Sequence, residues 1–213
     1  VATKVAWSDD YGRTWHLGNQ LLEVRKLAAE YRGKLVSNFH EVAIEERADG
    51  SVYMIGRTSA GRLYQSESFD RGETWTTPNP TDLYSPEAPP NIGRIPGTDD
   101  ILLLWNSQSV FNTNSTLGQR LTLASMITSD GGKTWRHYRE FITIPAHEIE
   151  LENPGHGKNR VCYPSIFFDE GWAHIGYWAS ATINGRSYDQ QYMAAVPISY
   201  FYSLEEHDPK SVD

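Results

Sequence analysis

Residues 8–15 read SDDYGRTW, and this stretch decides the fold because two further copies of it follow. Residues 68–75 (SFDRGETW) keep the pattern S-x-D-x-G-x-T-W at every fixed position, and residues 128–135 (TSDGGKTW) differ only by Thr for the first Ser. The third position of each copy is an aspartate, and these fall 60 residues apart, at Asp10, Asp70 and Asp130. A constant period of this size predicts radial repetition of one supersecondary unit.

Each copy has the chemistry of a turn between two strands. An alternating apolar run precedes each one, at residues 4–7, 62–66 and 121–127. The Asp side chain is suited to accept hydrogen bonds from the backbone of its own turn, and the Gly provides the positive φ that a reversal needs. The final Trp places a large apolar side chain between neighbouring sheets. We therefore expect three hairpins of one kind.

The repeated stretch is similar to the Asp-box, and through it the chain resembles the sialidases (neuraminidases) and the wider group of Asp-box β-propellers. In that family the box joins the third and fourth strands of a blade, on the face away from the active site. The resemblance implies that the three boxes are structural and that the fold is an all-β, six-bladed propeller of the sialidase type. It covers residue 8 to about residue 199, so residues 1–213 form one partial propeller domain.

The length of the chain is short for this fold. Six blades of ~60 residues need more than ~300 residues, so these 213 residues supply roughly three to four blades. Residues 1–7 have the pattern of a strand in the middle of a blade, not of a signal peptide. We expect either a piece of a longer protein or self-association of copies through open blade edges.

The apolar alternation between the boxes predicts the other strands. Residues 1–7 and a strand extending to Leu22 flank the first box, and residues 21–30 cross to the next blade. The remaining strands are predicted at 37–47, 51–57 and 63–68, at 91–95, 100–106, 121–127 and 136–144, and at 161–168, 172–179 and 192–199. The second box leads into the fourth strand of its blade, and the Pro- and Asn-rich residues 78–90 predict a loop.

The composition excludes several classes of partner. A formal net charge of −8 argues against nucleic acid or an anionic membrane, and no apolar run approaches the ~20 residues of a membrane span. Cys162 is the only cysteine, so no disulfide forms within the chain. The pattern indicates no cofactor and no metal, because His147 and His156 lack the close spacing of metal ligands and are interpreted as surface residues. Only the family resemblance favours a secreted or periplasmic location.

Residues 93–96 (GRIP) resemble an Arg-Ile-Pro motif whose Arg belongs to the sialidase active site. In the family that motif precedes the first box, whereas here it follows two boxes. We therefore interpret residues 93–96 as a strand end before a turn, and Arg94 is not assigned to the site.

The resemblance also implies a particular chemistry. Retaining sialidases act on a sugar whose anomeric carbon carries a carboxylate, which would repel a carboxylate nucleophile, so they use a Tyr. A neighbouring Glu accepts the phenol proton, because an ordinary Tyr has a pKa near ~10. Three arginines bind the substrate carboxylate through their planar guanidinium groups, and an Asp on an early blade is the acid/base.

Two of these residues are matched on the first complete blade. The family's Glu lies in a stretch similar to N-E-x-x-V-V-E-L-x-D-G, and an Arg follows on the next strand. Residues 39–50 (FHEVAIEERADG) and then residues 56–58 (GRT) match this order and spacing. The resemblance therefore implies that Glu41 is the base and that Arg57 is the second arginine.

Two more are matched around the third box. The family's third arginine precedes a box, and Arg120 stands just before the run that leads into residues 128–135. The nucleophile follows that box in a Tyr-Ser-x-Leu context, and residues 163–166 (YPSI) occupy this place. The resemblance implies that Arg120 binds the substrate carboxylate and that Tyr163 is the nucleophile, with a glycan as the substrate.

Several departures leave alternatives open. The first arginine and the acid/base Asp would precede Val1, His40 replaces the family's Asn, and Pro164 follows the Tyr. Trp178 stands where an acidic residue that steadies the first arginine is expected. The chain is therefore part of an exo-α-sialidase-like hydrolase, of a glycosidase for another acidic sugar, or of a propeller that binds acidic glycans without cleaving them. A purely structural role is the remaining alternative.

Overall fold

The computed structural model describes residues 1–26, 36–107, 120–143, 160–183 and 186–203. Within these residues the regular secondary structure consists of fifteen β-strands and one short 3-10 helix, Ile198–Phe201. The predicted all-β fold is therefore confirmed. No helix in the described part of the chain is long and apolar enough to cross a membrane.

The strands form five antiparallel sheets in chain order. Two short pairs come first, β1 (Ala6–Trp7) with β2 (His16–Leu17) and β3 (Arg25–Lys26) with β4 (Val36–Ser37). The first four-stranded sheet contains β5 (His40–Glu46), β6 (Val52–Arg57), β7 (Arg62–Ser68) and β8 (Asn79–Tyr84). The second contains β9 (Asn91–Arg94), β10 (Ile101–Asn106), β11 (Thr122–Thr128) and β12 (Arg136–Thr143). The last sheet has three strands, β13 (Arg160–Asp169), β14 (Trp172–Ile183) and β15 (Arg186–Pro197).

The hydrophobic cores lie between successive sheets. Side chains alternate across a strand, so a strand covered on both faces is apolar throughout. On β10, Ile101, Leu103 and Trp105 pack into a cluster with β6, whereas Leu102 and Leu104 pack into a second cluster with β14. All six residues of β10 are buried. The continuous apolar run of this strand is thus explained by a sheet on each side.

The first strand of each blade lies at the centre of the arrangement. β9 contacts β5 of the preceding sheet and β13 of the following sheet. The backbone N–H of Arg94 on β9 donates a hydrogen bond to the Glu45 carboxylate on β5 at 3.0 Å. The sheets are therefore arranged radially about their first strands, which is the arrangement that a 60-residue period predicts.

The three Asp-boxes adopt the same hydrogen-bonded turn. In the second box, the Gly72 N–H donates to Ser68 Oγ and the Thr74 N–H donates to Asp70 Oδ1, both at 2.8 Å. The equivalent distances are 2.8 and 2.8 Å in the first box and 2.9 and 2.8 Å in the third. Each aspartate thus bonds the backbone of its own turn, which lies between β1 and β2 in the first box, β7 and β8 in the second, and β11 and β12 in the third.

One predicted connection requires correction. The Pro-rich composition of residues 78–90 predicts a loop, but Asn79–Tyr84 forms β8 and pairs with β7. Pro80 lies opposite Tyr64 and has no N–H to donate, yet β8 is the outer edge of its sheet, where a missing donor is tolerated. The prediction of a loop was wrong because edge position, which composition does not reveal, decides whether proline fits a strand.

The other predicted connection, residues 21–30, is only partly described. It contains the short strand β3, which pairs with β4 before the chain enters the first complete blade. Residues 27–30 lie outside the described residues.

Candidate functional site

Glu41 and Tyr163, the predicted base and nucleophile, share an unusual backbone conformation. Glu41 has φ 48° and Tyr163 has φ 56°, both in the left-handed region that non-glycine residues rarely adopt. Glu41 lies in a bulge of β5, between His40 and Ala43, and Tyr163 lies in a bulge of β13. A bulge redirects a side chain within a strand, and such conformations cost about 1–3 kcal/mol each. The bulges therefore redirect the side chains of Glu41 and Tyr163 on β5 and β13, the first strands of their sheets.

Arg57 pairs directly with Glu41. It is the last residue of β6, opposite His40, and its Nη1 donates a short hydrogen bond to Glu41 Oε2. A Cβ on the preceding Gly56 would lie 2.6 Å from Val42 and 2.8 Å from the Phe39 ring, so glycine lets these two side chains pack closely on β6. Within this ion pair the Arg57 side chain is mostly buried, at 14% exposed, whereas the Glu41 side chain is 38% exposed.

Glu87 lies among the predicted site residues, although the sequence did not predict its place there. It lies in the connection from β8 to β9, and its Oε1 is 3.4 Å from Arg57 Nη2 and accepts a hydrogen bond from Asn38 Nδ2 at 3.0 Å. Its backbone carbonyl accepts from Arg120 Nη2 at 2.8 Å. Glu87 therefore connects the two predicted arginines. The only sequence signal was an isolated carboxylate in the connection that leads into a central strand.

Arg120 lies against Tyr163. The guanidinium carbon is 5.3 Å from the centroid of the phenol ring, which is a cation–π contact. Burial lowers the pKa of Arg120, but its interactions with the Cys162 and Tyr163 side chains outweigh that effect and leave the pKa raised. Burial also raises the pKa of the Cys162 thiol, so Cys162 is a neutral, buried neighbour of the site.

His40 is uncharged in this environment near neutral pH. Burial lowers the pKa of His40 and Arg57 lowers it further, against the smaller opposing effects of Glu41 and Glu87. Its Nε2 lies 3.8 Å from Glu87 Oε1. The residue that departs from the family pattern is thus a neutral polar group beside the ion pairs.

These contacts form one cluster, which we call the arginine cluster. It consists of Glu41, Arg57, Glu87, Arg120 and Tyr163. The cluster lies at the end of the sheet opposite to the boxes, because the second box follows Ser68, opposite Val52, at the far end of β6 from Arg57. Separation from the structural turns is what the resemblance implies for a site.

Two other sequence features do not join the arginine cluster. Arg94 ends β9 beside Glu45, near the box end, which agrees with its interpretation as a strand end. Trp178 lies on β14 opposite Cys162. The guanidinium carbon of Arg160 lies 4.5 Å from the centroid of the Trp178 ring.

Metal binding finds no support in the described ranges. No group of three His, Cys, Asp or Glu side chains in them is arranged to hold a metal ion. His147 and His156 lie outside the described residues.

The chemistry available in the arginine cluster is recognition of an anion beside an exposed phenol. Two guanidinium groups can bind a carboxylate by paired hydrogen bonds. The Tyr163 side chain is 49% exposed and can reach a ligand. Both arginines contact Glu87, Arg57 through the carboxylate and Arg120 through the backbone carbonyl. In this structure the Glu41 carboxylate is paired with Arg57 and not with the Tyr163 hydroxyl.

Solved glycoside hydrolases share this fold. The K499G mutant of NanB sialidase from Streptococcus pneumoniae aligns with a TM-score of 0.59 and 17% identity, over 93% of this chain and 28% of that chain. The intramolecular trans-sialidase from Ruminococcus gnavus, in complex with oseltamivir carboxylate, aligns with a TM-score of 0.60 and 17% identity, over 93% and 38%. The α-L-arabinanase from Penicillium chrysogenum, complexed with arabinobiose, aligns with a TM-score of 0.58 and 14% identity, over 92% of this chain and 55% of that chain. The predicted sialidase-type propeller fold is therefore confirmed.

The chain spans between 28% and 55% of the length of these three structures, so it supplies part of such a propeller. No curated protein sequence matches it. A family model described as a BNR repeat-like domain matches residues 2–175. Because this match covers more than half of the chain, the chain belongs to the BNR repeat-like domain family.

Proposed function

We propose that this chain carries part of the site of a glycoside hydrolase resembling a retaining exo-α-sialidase, which removes a terminal sialic acid from a glycan. The observation that carries the proposal is the pair of bulges on β5 and β13. They direct Glu41 and Tyr163, two residues in the left-handed region, to Arg57 and Arg120 respectively. Strained residues that meet charged groups in this way are typical of functional sites.

Each residue has a distinct role in this proposal. Arg57 and Arg120 bind the carboxylate of the sugar. The Tyr163 oxygen attacks the anomeric carbon as the bond to the leaving group breaks, and the phenol proton passes to Glu41. Water then attacks the anomeric carbon, and the bond to Tyr163 breaks as Glu41 returns its proton to the phenol oxygen. The proton that the water loses restores the acid that protonated the leaving group. The acid that protonates the leaving oxygen and a first arginine are not among the residues assigned here.

Turnover of a fluorogenic α-sialoside tests this proposal. We expect the Tyr163→Phe variant to lose about 10³-fold or more in kcat/KM, because the phenol oxygen forms the covalent bond. Tyr188→Phe is the matched control, since Tyr188 is 45% exposed on β15, outside the arginine cluster, and it should keep full activity. Unchanged turnover by Tyr163→Phe would exclude Tyr163 as the nucleophile.

The mass of the same sample in solution tests the predicted self-association. β15 is an outer strand of the last sheet, and open sheet edges favour pairing with a further strand. We expect an active sample to contain an assembly larger than one chain, because this chain supplies only part of the propeller. Activity in a strictly monomeric sample would show that these residues suffice.

A second candidate is a propeller that binds acidic glycans without cleaving them. The observation that favours it is the pairing of Glu41 with Arg57, which leaves the Tyr163 hydroxyl without its base in this structure. This candidate predicts saturable binding of sialylated glycans with no turnover. It also predicts that Arg57→Ala weakens binding at least about tenfold, whereas Tyr163→Phe leaves binding nearly unchanged.

A further inference from the structure

The Arg57 guanidinium is already occupied by carboxylates of the chain itself. Its Nη1 donates to Glu41, its Nη2 lies 3.4 Å from Glu87 Oε1, and its Nε is buried without a hydrogen-bond partner. A ligand carboxylate that binds to Arg57 must therefore take the place of one of these two residues.

The two carboxylates differ in how firmly they are held. Glu87 accepts a second hydrogen bond from the buried Asn38, and its backbone is tied to Arg120. Glu41 has no hydrogen-bond or ion-pair partner besides Arg57 among the described residues. Its backbone also carries the strain of a positive φ. Of the two, Glu41 is the one that can leave.

We propose that Glu41 occupies, in the ligand-free protein, the position that the carboxylate of an acidic sugar takes on Arg57, and that the sugar displaces it. This inference rests on the proposed function, because it takes the acidic sugar as its ligand. The exchange replaces one carboxylate by another at the same cation, so Arg57 is never left buried and unpaired. The displaced Glu41 is then free to accept the Tyr163 proton.

The exchange also supplies selectivity. A neutral sugar cannot compensate the Arg57 charge, so it cannot release Glu41 and does not free the base. Acidic sugars are therefore selected twice, once by the attraction to Arg57 and once by the release of Glu41. The Glu41 carboxylate weakens binding of an acidic sugar, because the sugar must break the Glu41–Arg57 ion pair before it can bind to Arg57.

Binding of N-acetylneuraminic acid and of its methyl ester, measured by calorimetry on the whole chain, tests the exchange. We expect Glu41→Gln to bind the acid about tenfold more tightly than the unaltered chain, because a charged competitor is lost. Glu41→Asp keeps the charge but is one methylene too short to hold Arg57 as firmly, so a gain of about threefold is expected. The ester should show no gain with either variant.

Glu46→Gln is the matched control, because it makes the same substitution on the same strand at an exposed position near the far end of β5. It should bind both ligands as the unaltered chain does. Acid binding that is unchanged or weaker in Glu41→Gln would overturn the exchange. Tighter acid binding by Glu41→Gln without any tightening by Glu41→Asp would also overturn it. The loss of a negative charge near the ligand would then explain the result without a carboxylate exchange on Arg57.

Failure of the proposed function gives a different result. If neither the unaltered chain nor any variant binds the acid, then the arginine cluster does not recognise sialic acid, and both proposals fall together. If the unaltered chain binds the acid better than the ester but the Glu41 variants gain nothing, only the exchange is excluded. Melting temperatures of all variants, expected within a few degrees of one another, confirm that each is folded.

Discussion

The first and second Asp-boxes have the same sequence pattern and the same hydrogen bonds but very different burial. Trp75, at the end of the second box, is 7% exposed, whereas Trp15, at the end of the first, is 66% exposed. In both boxes the indole N–H donates to the Gly carbonyl of its own turn, at 2.9 and 3.2 Å. The turn is therefore complete in each case, and the difference lies outside it.

The difference comes from the preceding sheet. Trp75 packs with Leu22 and Val24, which follow β2, and its backbone exchanges two hydrogen bonds with the Gln20 amide at 2.7 and 3.0 Å. Trp135 in the third box likewise packs against Tyr53 of the preceding sheet. Trp15 belongs to the first sheet of the chain, so no earlier sheet of this chain covers it. Eight residues thus specify a turn, but a neighbouring blade is needed to bury its tryptophan.

Replacing the two tryptophans should give the largest contrast. We expect Trp75→Ala to lower the free energy of unfolding by about 3–5 kcal/mol, because it empties a buried position between two sheets. Trp15→Ala should cost less than about 1 kcal/mol, because a mostly exposed side chain leaves no cavity. Urea denaturation of both variants measures the difference. Equal losses would mean that the tryptophans contribute through their turns and not through burial.

Adding a methyl group to the turn glycines should give an intermediate contrast. Both Gly132 and Gly12 have positive φ, so alanine at either position costs about 1–2 kcal/mol from the backbone alone. A Cβ on Gly132 would also lie 2.7 Å from the buried Tyr53 ring, whereas a Cβ on Gly12 comes no closer than 3.7 Å to Trp15. We expect Gly132→Ala to cost about 2–4 kcal/mol and Gly12→Ala about half as much. A comparable loss from both, measured by thermal unfolding, would contradict close packing of the third box on β6.

Lowering the pH should reduce the stability that the first and third boxes contribute to a similar extent. This effect should be the smallest of the three. Hydrogen bonds from Thr14 lower the pKa of Asp10 from its ordinary 3.8 to about 2. Burial opposes a similar shift at Asp130, but the bonds from Thr134 prevail and also lower its pKa to about 2. A carboxylate with a lowered pKa stabilises the fold above its ordinary value, and this contribution disappears as the pH falls through 3.8 towards 2.

The variants Asp10→Asn and Asp130→Asn make this testable. Each should be less stable than the unaltered chain at pH 7, and each difference should narrow as the pH falls from about 4 to about 2. The urea midpoints of the three proteins at these pH values provide the comparison. A difference that stays constant with pH would show that the aspartates act without their charge.

The sequence predicted most strands of the two four-stranded sheets well. Regular alternation and the boxes located β5 to β7 and β9 to β12 to within a few residues. It failed at β8, an edge strand whose composition is that of a loop. The Pro and Asn of β8 are typical of a loop, and its edge position, which tolerates proline, is not visible in the composition.

The arginine cluster was only partly predictable. Order relative to the boxes pointed to Glu41, Arg57, Arg120 and Tyr163, whose roles stay predictions. The role of Glu87 was not predictable, since no pattern links one carboxylate in a connection to two arginines that lie 30 and 33 residues away in the chain. The bulges at Glu41 and Tyr163 were equally hidden, because many sequences tolerate a bulge.

The sequence by itself determined the repeating unit of this protein. Its boxes close their hydrogen bonds within eight residues, so neighbouring side chains and backbone suffice to specify them, and the period between them implies the propeller. Tertiary structure alone decided which tryptophan is buried and which carboxylates hold Arg57. Those outcomes depend on contacts between residues far apart in the chain, such as Gln20 with Trp75 and Asn38 with Glu87. Only packing of the blades against one another brings such residues within hydrogen-bonding distance.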